Sequence, residues 1–200
     1  MNASLNKWFF RPFEHLSEFK ALLIGISAIL LSGGLNILSQ THFDGIVDVH
    51  TGSKEISSIS FVCEGLIDWL LFSALLFTSS LFFSSSAIRL IDVISTQAMA
   101  RWPLLITSLA TLIIPHQAAD EYLLSKVLKS GTEINIQAYQ LILLGLLTLI
   151  IVATSIWMIV LMYRAYSISC NLKGNKAIAI FIITLLLAEG ISKYLISHIL

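Results

Sequence analysis

The sequence predicts an all-α, polytopic integral membrane protein: a bundle of five transmembrane helices with short amphipathic helices at the membrane surface. Of its 200 residues, 56% are hydrophobic and only 12% are charged, whereas about a quarter of the residues of a typical soluble domain are charged. The apolar residues also stand in long blocks rather than in amphipathic stripes. This composition excludes a soluble domain and a disordered chain. The numbers of basic and acidic residues are equal, 12 of each, which excludes a nucleic-acid-binding protein that relies on basic charge.

Five segments are apolar enough to be membrane-spanning helices. A span needs about 20 apolar residues to cross roughly 30 Å of hydrocarbon. The chain offers such segments at about 21–39, 61–84, 102–119, 138–162 and 177–197. The third is the shortest, because its uncharged core ends at Pro115. Whether the third segment crosses the bilayer completely stays open.

The residues around position 100 predict where the third span begins. Arg101-Trp102-Pro103 combines an interfacial aromatic residue with a proline suited to the first turn of a helix. The preceding segment, Ile88–Ala100, has apolar residues on one helical stripe and polar residues off it. It is therefore predicted to be an amphipathic surface helix or a partly submerged linker.

The basic residues predict an N-in, C-out orientation, because cytoplasmic segments of membrane proteins carry an excess of Lys and Arg. With the N-terminus inside, eight basic residues face the cytoplasm and four face outward. The inner eight are Lys7, Arg11, Lys20, Arg89, Arg101, Arg164, Lys173 and Lys176, and the outer four are Lys54, Lys126, Lys129 and Lys193. Residues 1–20, with the aromatic stretch Trp8–Phe19, are predicted to be a cytoplasmic interfacial segment, and residues 21–200 the five-span membrane domain.

Two of the predicted spans contain carboxylates. Glu64 and Asp68 are four residues apart near the start of the second span and so share a helix face. A charged residue at mid-helix costs about 2.5–3.5 kcal/mol on insertion scales and therefore faces the bundle or water. Glu189 in the fifth span has Lys193 four residues on, which predicts an ion pair reaching the surface. Glu64, Asp68 and Glu189 are the candidates for an ion or substrate path.

A run of polar residues after the first span predicts a second kind of site. His42, Asp44, Asp48 and His50 occupy alternate positions, and imidazole with carboxylate suits a divalent metal such as Zn²⁺, Mn²⁺ or Fe²⁺. The alternative is a solvated polar loop in which Asp44-Gly45 forms an ordinary turn. The complete set of candidate metal ligands is His42, Asp44, Asp48, His50, His116 and Asp120.

The short connection between the first two spans predicts that these groups meet. Neighbouring spans joined by a short loop must have adjacent ends, which brings the polar run over Glu64 and Asp68. We therefore expect at least one histidine nitrogen within hydrogen-bonding distance of a carboxylate oxygen, or both bound to one ion. Without a metal, the same convergence would be a structural clasp that closes this end of the bundle.

The chain resembles the Yip family of Ypt/Rab-GTPase-interacting membrane proteins. The likeness rests on the aromatic, Pro-containing stretch Trp8–Phe19, the five spans, the FDG-x-x-D-x-H element at Phe43–His50 and the RLIDVISTQAMARWP stretch at Arg89–Pro103. The resemblance is to the bacterial branch, and it implies a bacterial cytoplasmic membrane. The DLxGP and GY elements of the eukaryotic branch are absent, so the resemblance implies neither that branch's role in vesicle traffic nor catalytic residues.

Three functions stay open from the sequence. The first is a non-enzymatic scaffold or adaptor with a protein partner or a second copy of itself. The second is a transporter or ion-conducting protein that uses Glu64 and Asp68, and the third is a metal-dependent membrane enzyme with the His/Asp site. Motifs such as HExxH, GxSxG and GxxxxGK[ST] are absent, which favours a protein that is not an enzyme. The predicted partner common to all three is the lipid bilayer.

Overall fold

A computed structural model describes residues 9, 12–14, 16–51, 57–128 and 136–200 of the chain. Within these residues the fold is helical apart from two very short strands. The helices are α1 (Glu18–Ser39), α2 (Ser60–Phe83), α3 (Leu90–Ala100), α4 (Leu104–Ile113), α5 (Gln117–Leu128), α6 (Ala138–Ser169) and α7 (Gly174–Ile199), and the strands are β1 (Thr41–His42) and β2 (His50–Thr51). A single 3₁₀ turn, Pro12–Glu14, precedes α1.

Four of these helices, α1, α2, α6 and α7, are long and apolar enough to cross a membrane. A fifth candidate combines Leu90–Ile113 with Ala118–Val127, which are bent by 83° relative to each other. The prediction of an all-α polytopic membrane protein is thereby confirmed, with four or five spans among the described residues. The N-in, C-out orientation stays a prediction.

The segment before the third predicted span is an interior helix rather than a surface helix. Helix α3 packs against α1, α2 and α6, and the residues on its inner face are fully or almost fully buried. A Cβ atom on Gly25 of α1 would lie less than 3.0 Å from the backbone of Ala98 and Met99, so this glycine lets the two backbones approach closely. The prediction for Ile88–Ala100 is wrong because the second half of the helix, including the polar residues Ser95 and Gln97, is buried in the bundle. Gln97, for example, donates a hydrogen bond to the Met162 carbonyl at 2.9 Å.

The same packing changes the interpretation of Arg101-Trp102-Pro103. These residues join α3 to α4, so the apolar unit begins at Leu90 and not at Trp102. Arg101 is only 1% exposed. It was expected at the cytoplasmic surface, and that expectation is wrong because α3 packs inside the bundle and leaves Arg101 buried at its end.

The strands β1 and β2 form an antiparallel hairpin between α1 and α2, with Thr41 opposite Thr51 and His42 opposite His50. We call this end of the bundle the hairpin end and residues 43–49 the hairpin loop. The hairpin loop folds inward, and its Phe43 and Ile46 belong to the same buried apolar cluster as Phe72 of α2. A segment without regular structure therefore enters the helix bundle, and its backbone polar groups must find partners there.

Candidate functional site

Glu64 on α2 is the first of two carboxylates that hold the hairpin loop. Its Oε1 lies 2.8 Å from Nδ1 of His42, and its Oε2 accepts a hydrogen bond from the Phe43 backbone N–H at 3.0 Å. Glu64 is 2% exposed and His42 is 3% exposed. The expected approach of a histidine nitrogen to a carboxylate oxygen is confirmed by this contact.

The second ring nitrogen of His42, Nε2, lies in the protein interior. An ionised carboxylate only accepts hydrogen bonds, so the Glu64 contact assigns the proton to Nδ1. Nε2 is buried and has no hydrogen-bond partner. The imidazole is enclosed by rings, with its centroid 4.5 Å from that of Phe61 and 5.4 Å from that of His50. Stacking and the bond to Glu64 together fix the position of this side chain.

Glu189 on α7 is the second carboxylate that holds the hairpin loop. Its Oε2 accepts a hydrogen bond from the Val47 backbone N–H at 3.1 Å. A Cβ atom on Gly45 would lie less than 3.0 Å from the Glu189 carboxylate, so a side chain at this position would require that carboxylate to move. We call Glu64, Glu189 and the loop amides that they bind the clasp.

Lys193 completes the charge arrangement around the clasp. Its Nζ lies 3.8 Å from Glu189 Oε1, so the expected ion pair within α7 is confirmed. Lys193 also donates a hydrogen bond to the Asp48 carboxylate of the hairpin loop. The ammonium group thus bridges α7 to the loop, and it is half-exposed at the end of the bundle.

Asp68 lies one turn deeper than Glu64 and is fully buried. Ser192 of α7 donates a hydrogen bond to its Oδ1, and Oδ2 has no hydrogen-bond partner. The expectation that Glu64 and Asp68 both face the bundle is confirmed. Arg101 interacts electrostatically with Asp68 and Glu189, yet its Nε and Nη2 have no hydrogen-bond partner. The interior therefore contains a carboxyl group and a guanidinium group between which the structure has no direct hydrogen bond.

The six candidate metal ligands occur as three neighbouring groups instead of one ring of ligands. His42 is bonded to Glu64, as described above. Asp44, Asp48 and His50 offer ligand atoms within 4.8 Å of one another. His116 and Asp120 form the third group, with Nε2 and Oδ2 3.9 Å apart. Thr51 links that group to the hairpin by donating to Asp120 Oδ2 at 2.8 Å.

Only the middle group has enough ligands for an ion, and its electrostatics oppose one. The Nδ1 of His50 is 3.3 Å from Asp44 Oδ1 and 4.0 Å from Asp48 Oδ2. Lys193 already supplies a positive charge to Asp48, where a divalent ion would be repelled by the ammonium group. Binding of Zn²⁺, Mn²⁺ or Fe²⁺ stays a prediction.

A family model described as the Yip1 domain matches residues 10–191 of the chain. The chain belongs to the Yip1 domain family. No curated protein and no solved structure matches it. The resemblance drawn from the sequence is confirmed, and with the apolar helices it establishes a multi-pass integral membrane protein associated with the lipid bilayer. Membership of the bacterial branch stays a prediction.

The matched Yip1 domain includes both carboxylates of the clasp and ends two residues before Lys193. It also includes two buried polar residues to which the sequence patterns did not point. One is Arg101, and the other is Asn36 on α1, which is fully buried and whose side-chain atoms have no hydrogen-bond partner. One signal in the sequence could have pointed to Arg101: Asp68 has no basic partner at helical spacing on its own span, and Arg101 stands directly before the next apolar block.

Proposed function

We propose that this Yip1-domain protein is a non-enzymatic membrane scaffold or adaptor of a bacterial cytoplasmic membrane. The observation that carries the proposal is the clasp. Glu64 and Glu189, two of the three acids that an ion or substrate path would use, each accept a backbone N–H of the hairpin loop, from Phe43 and Val47. Their carboxylates are engaged in closing the hairpin end of the bundle.

The energetics of the clasp favour a static role. Backbone N–H groups at membrane depth must be hydrogen-bonded within the protein, because acyl chains offer no acceptor. An acid that carries a proton or an ion must release its partners during each cycle. If Glu64 did so, it would leave two buried groups without partners, at about 1–3 kcal/mol each. A scaffold requires no such release.

The test is flux through the purified protein in liposomes. A scaffold is expected to give proton and monovalent-cation leakage equal to that of empty liposomes of the same lipid composition. In the native membrane, a photo-crosslinking residue placed on the bundle surface is expected to give a discrete adduct with one protein partner or a second copy. Flux above the empty-liposome level, lost in Asp68→Asn, would replace the scaffold with a transporter.

The transporter alternative is favoured by one observation, the set of unbonded polar groups in the interior. Asp68 Oδ2, two nitrogens of Arg101 and both polar side-chain atoms of Asn36 lack hydrogen-bond partners. Buried groups of this kind commonly bind water inside proteins, and water near an intramembrane acid supports ion or proton movement. On this alternative, Asp68→Asn abolishes flux, whereas Glu18→Gln, an exposed acid in an ion pair with Arg89, leaves flux unchanged.

The metal-dependent enzyme stays as the third alternative, with Asp44, Asp48 and His50 as ligands. Metal analysis of protein purified without a His tag distinguishes it. The scaffold proposal expects much less than one divalent ion per chain. One ion per chain in the wild type, lost in His50→Ala and kept in His198→Ala, would favour the enzyme.

A further inference from the structure

A groove on the side of the bundle is used neither by the clasp nor by the predicted ion path. It lies between α1 and the corner that joins α3 to α4, and its volume is about 530 Å³. Among the described residues that line it, only Ser27 lacks an apolar or aromatic side chain. We call it the α1–α4 groove.

Small side chains on α1 leave the space for this groove. Ser27 and Ala28 line it between the larger side chains of Leu23 and Leu31. Residues three or four apart on a helix are neighbours on its surface, so these four residues form one stripe along α1. The stripe is therefore high at both ends and low in the middle.

The wall opposite α1 is fixed by contacts of its own. It consists of Met99, Trp102 and Leu105. The Trp102 ring packs edge-on against that of Trp157, with the ring centroids 4.5 Å apart, and Met99 is only 6% exposed. Packed side chains relax only partly into a neighbouring space, so the groove stays open between the two walls.

The α1–α4 groove opens toward the bilayer. Leu23, Ile24 and Leu31 border it and are 50%, 44% and 60% exposed. They belong to α1, which is long and apolar enough to cross a membrane. Apolar residues exposed on such a helix contact acyl chains. The groove is thus continuous with the surface through which the protein already contacts lipid.

The dimensions of the groove distinguish an acyl chain from a helix of a second copy. Between Leu16 and Leu31 the groove follows the protein chain for about 20 Å, at a rise of about 1.5 Å per residue. Its volume of about 530 Å³ divided by that length gives a mean cross-section of about 26 Å². A helix about 10 Å across has a cross-section of about 80 Å². The groove is therefore too narrow for a helix and suits one extended hydrocarbon chain.

The position of the groove along α1 corresponds to one leaflet of the bilayer. It begins at Leu16, next to the exposed end of α1 where Glu18 pairs with Arg89 at 2.9 Å. It ends at Leu31, well before α1 ends at Ser39. One leaflet contains about 15 Å of hydrocarbon, half of the bilayer core. A lipid with its headgroup near the Glu18 end can therefore place an acyl chain along the whole groove.

We propose that the α1–α4 groove binds one acyl chain of a phospholipid from that leaflet. The chain packs over Ser27 and Ala28 and against the ring of Trp102. It supplies dispersion contacts that the lining of an unfilled groove lacks, and the apolar lining disfavours water as the occupant. The site goes beyond the scaffold proposal and does not depend on it.

The test is photo-crosslinking of the full chain in phospholipid vesicles. The probe is a trace of phosphatidylcholine with a diazirine in the middle of one acyl chain, and peptide mass spectrometry locates the adducts. Lipid that merely surrounds the protein labels every exposed apolar face alike, including Leu186 and Leu187 of α7, which are 67% and 57% exposed. We expect the segments Leu23–Leu31 and Met99–Leu105 to contain about fivefold more adduct per residue than these two leucines, a preference of roughly 1 kcal/mol.

Three variants assign that preference to the groove. Ser27→Phe places a ring inside it, and because Ser27 is exposed the ring displaces the acyl chain and not a core side chain. Labelling of the groove is expected to fall about fivefold, to the level on α7. Ser27→Ala keeps the groove open, and Ala153→Phe adds the same ring at an exposed position of α6. Both controls are expected to keep the wild-type pattern. If Ser27→Phe does not fold, the distribution of adducts on the wild type still decides.

Four results would overturn the proposal. Equal labelling of the groove and of α7 in the wild type would show ordinary surrounding lipid. Unchanged labelling in a folded Ser27→Phe protein would place the chain elsewhere. Loss of the adduct on addition of oleic acid, but not of the same amount of unlabelled phosphatidylcholine, would identify a free fatty acid as the occupant. Labelling that appears only after residues 1–8 are deleted would show that the groove is filled by the N-terminus of the protein.

Discussion

Replacing Glu64 with alanine is the most direct test of the clasp, because one side chain accepts two buried hydrogen bonds. The variant leaves His42 Nδ1, otherwise 2.8 Å from Glu64, and the Phe43 N–H, otherwise 3.0 Å away, without an acceptor. Each buried donor left unsatisfied costs about 1–3 kcal/mol, so Glu64→Ala should lower the free energy of unfolding by about 2–6 kcal/mol. Glu64→Gln keeps one amide oxygen for Phe43 and should lose about half as much.

The matched control is Glu18→Ala at the opposite end of the bundle. Glu18 forms an ion pair with Arg89 at 2.9 Å, and both side chains are largely exposed. Exposed ion pairs contribute about 0–1 kcal/mol. The control therefore removes a carboxylate and a charged contact without exposing a buried donor.

The assay is unfolding in one detergent, followed by tryptophan fluorescence, with hydrogen exchange of the peptide that contains residues 43–49. Glu64→Ala should unfold at lower denaturant than Glu18→Ala, and its loop amides should exchange faster while those of α6 stay protected. If Glu64→Ala matches Glu18→Ala in both measurements, the carboxylate does not hold the loop and the reasoning fails.

Three further predictions concern other parts of the fold. Gly25→Ala should destabilise the bundle by about 1–3 kcal/mol because its Cβ meets the α3 backbone, whereas Gly34→Ala, which has open space, should be neutral or stabilising in the same unfolding assay. Burial raises the pKa of the Cys170 thiol, so less thiolate forms at a given pH. Maleimide should therefore label Cys170 in the folded protein more slowly than it labels a small thiol in solution, and unfolding should remove the difference. Glu189→Ala should speed exchange of the Val47 amide without changing exchange in α3, as measured residue by residue by NMR.

The parts of the fold that the sequence predicted are those governed by the bilayer. Long apolar blocks identified α1, α2, α6 and α7, because a helix that crosses hydrocarbon must be apolar over its whole length. The same rule predicted that Glu64 and Asp68 face the interior, since lipid offers no partner for a carboxylate. The short loop between α1 and α2 predicted that a histidine would approach a carboxylate, and the contact of His42 with Glu64 is such a pair.

The features of the fold that the sequence did not predict depend on which helices become neighbours. A stripe of apolar residues with polar residues beside it has the same pattern on a surface helix and on a helix buried by polar partners. Ile88–Ala100 was assigned to the surface for this reason, although Gly25, far away in sequence, opens the space that α3 fills. Gly45 and Glu189, which also meet in the structure, are likewise far apart in the sequence. No local pattern relates residues that meet only after the bundle has formed.

The hairpin loop explains why a membrane helix retains an acid such as Glu189. A loop that packs Phe43 and Ile46 into the apolar core takes its own backbone amides with it. Those amides need acceptors at a depth where helix carbonyls are already engaged by their own helices. A carboxylate on an adjacent span supplies an acceptor, and Lys193 offsets its charge at the membrane surface. The acids of the clasp therefore follow from the inward loop, and only Asp68, which binds no loop amide among the described residues, is left for a role other than closing the bundle.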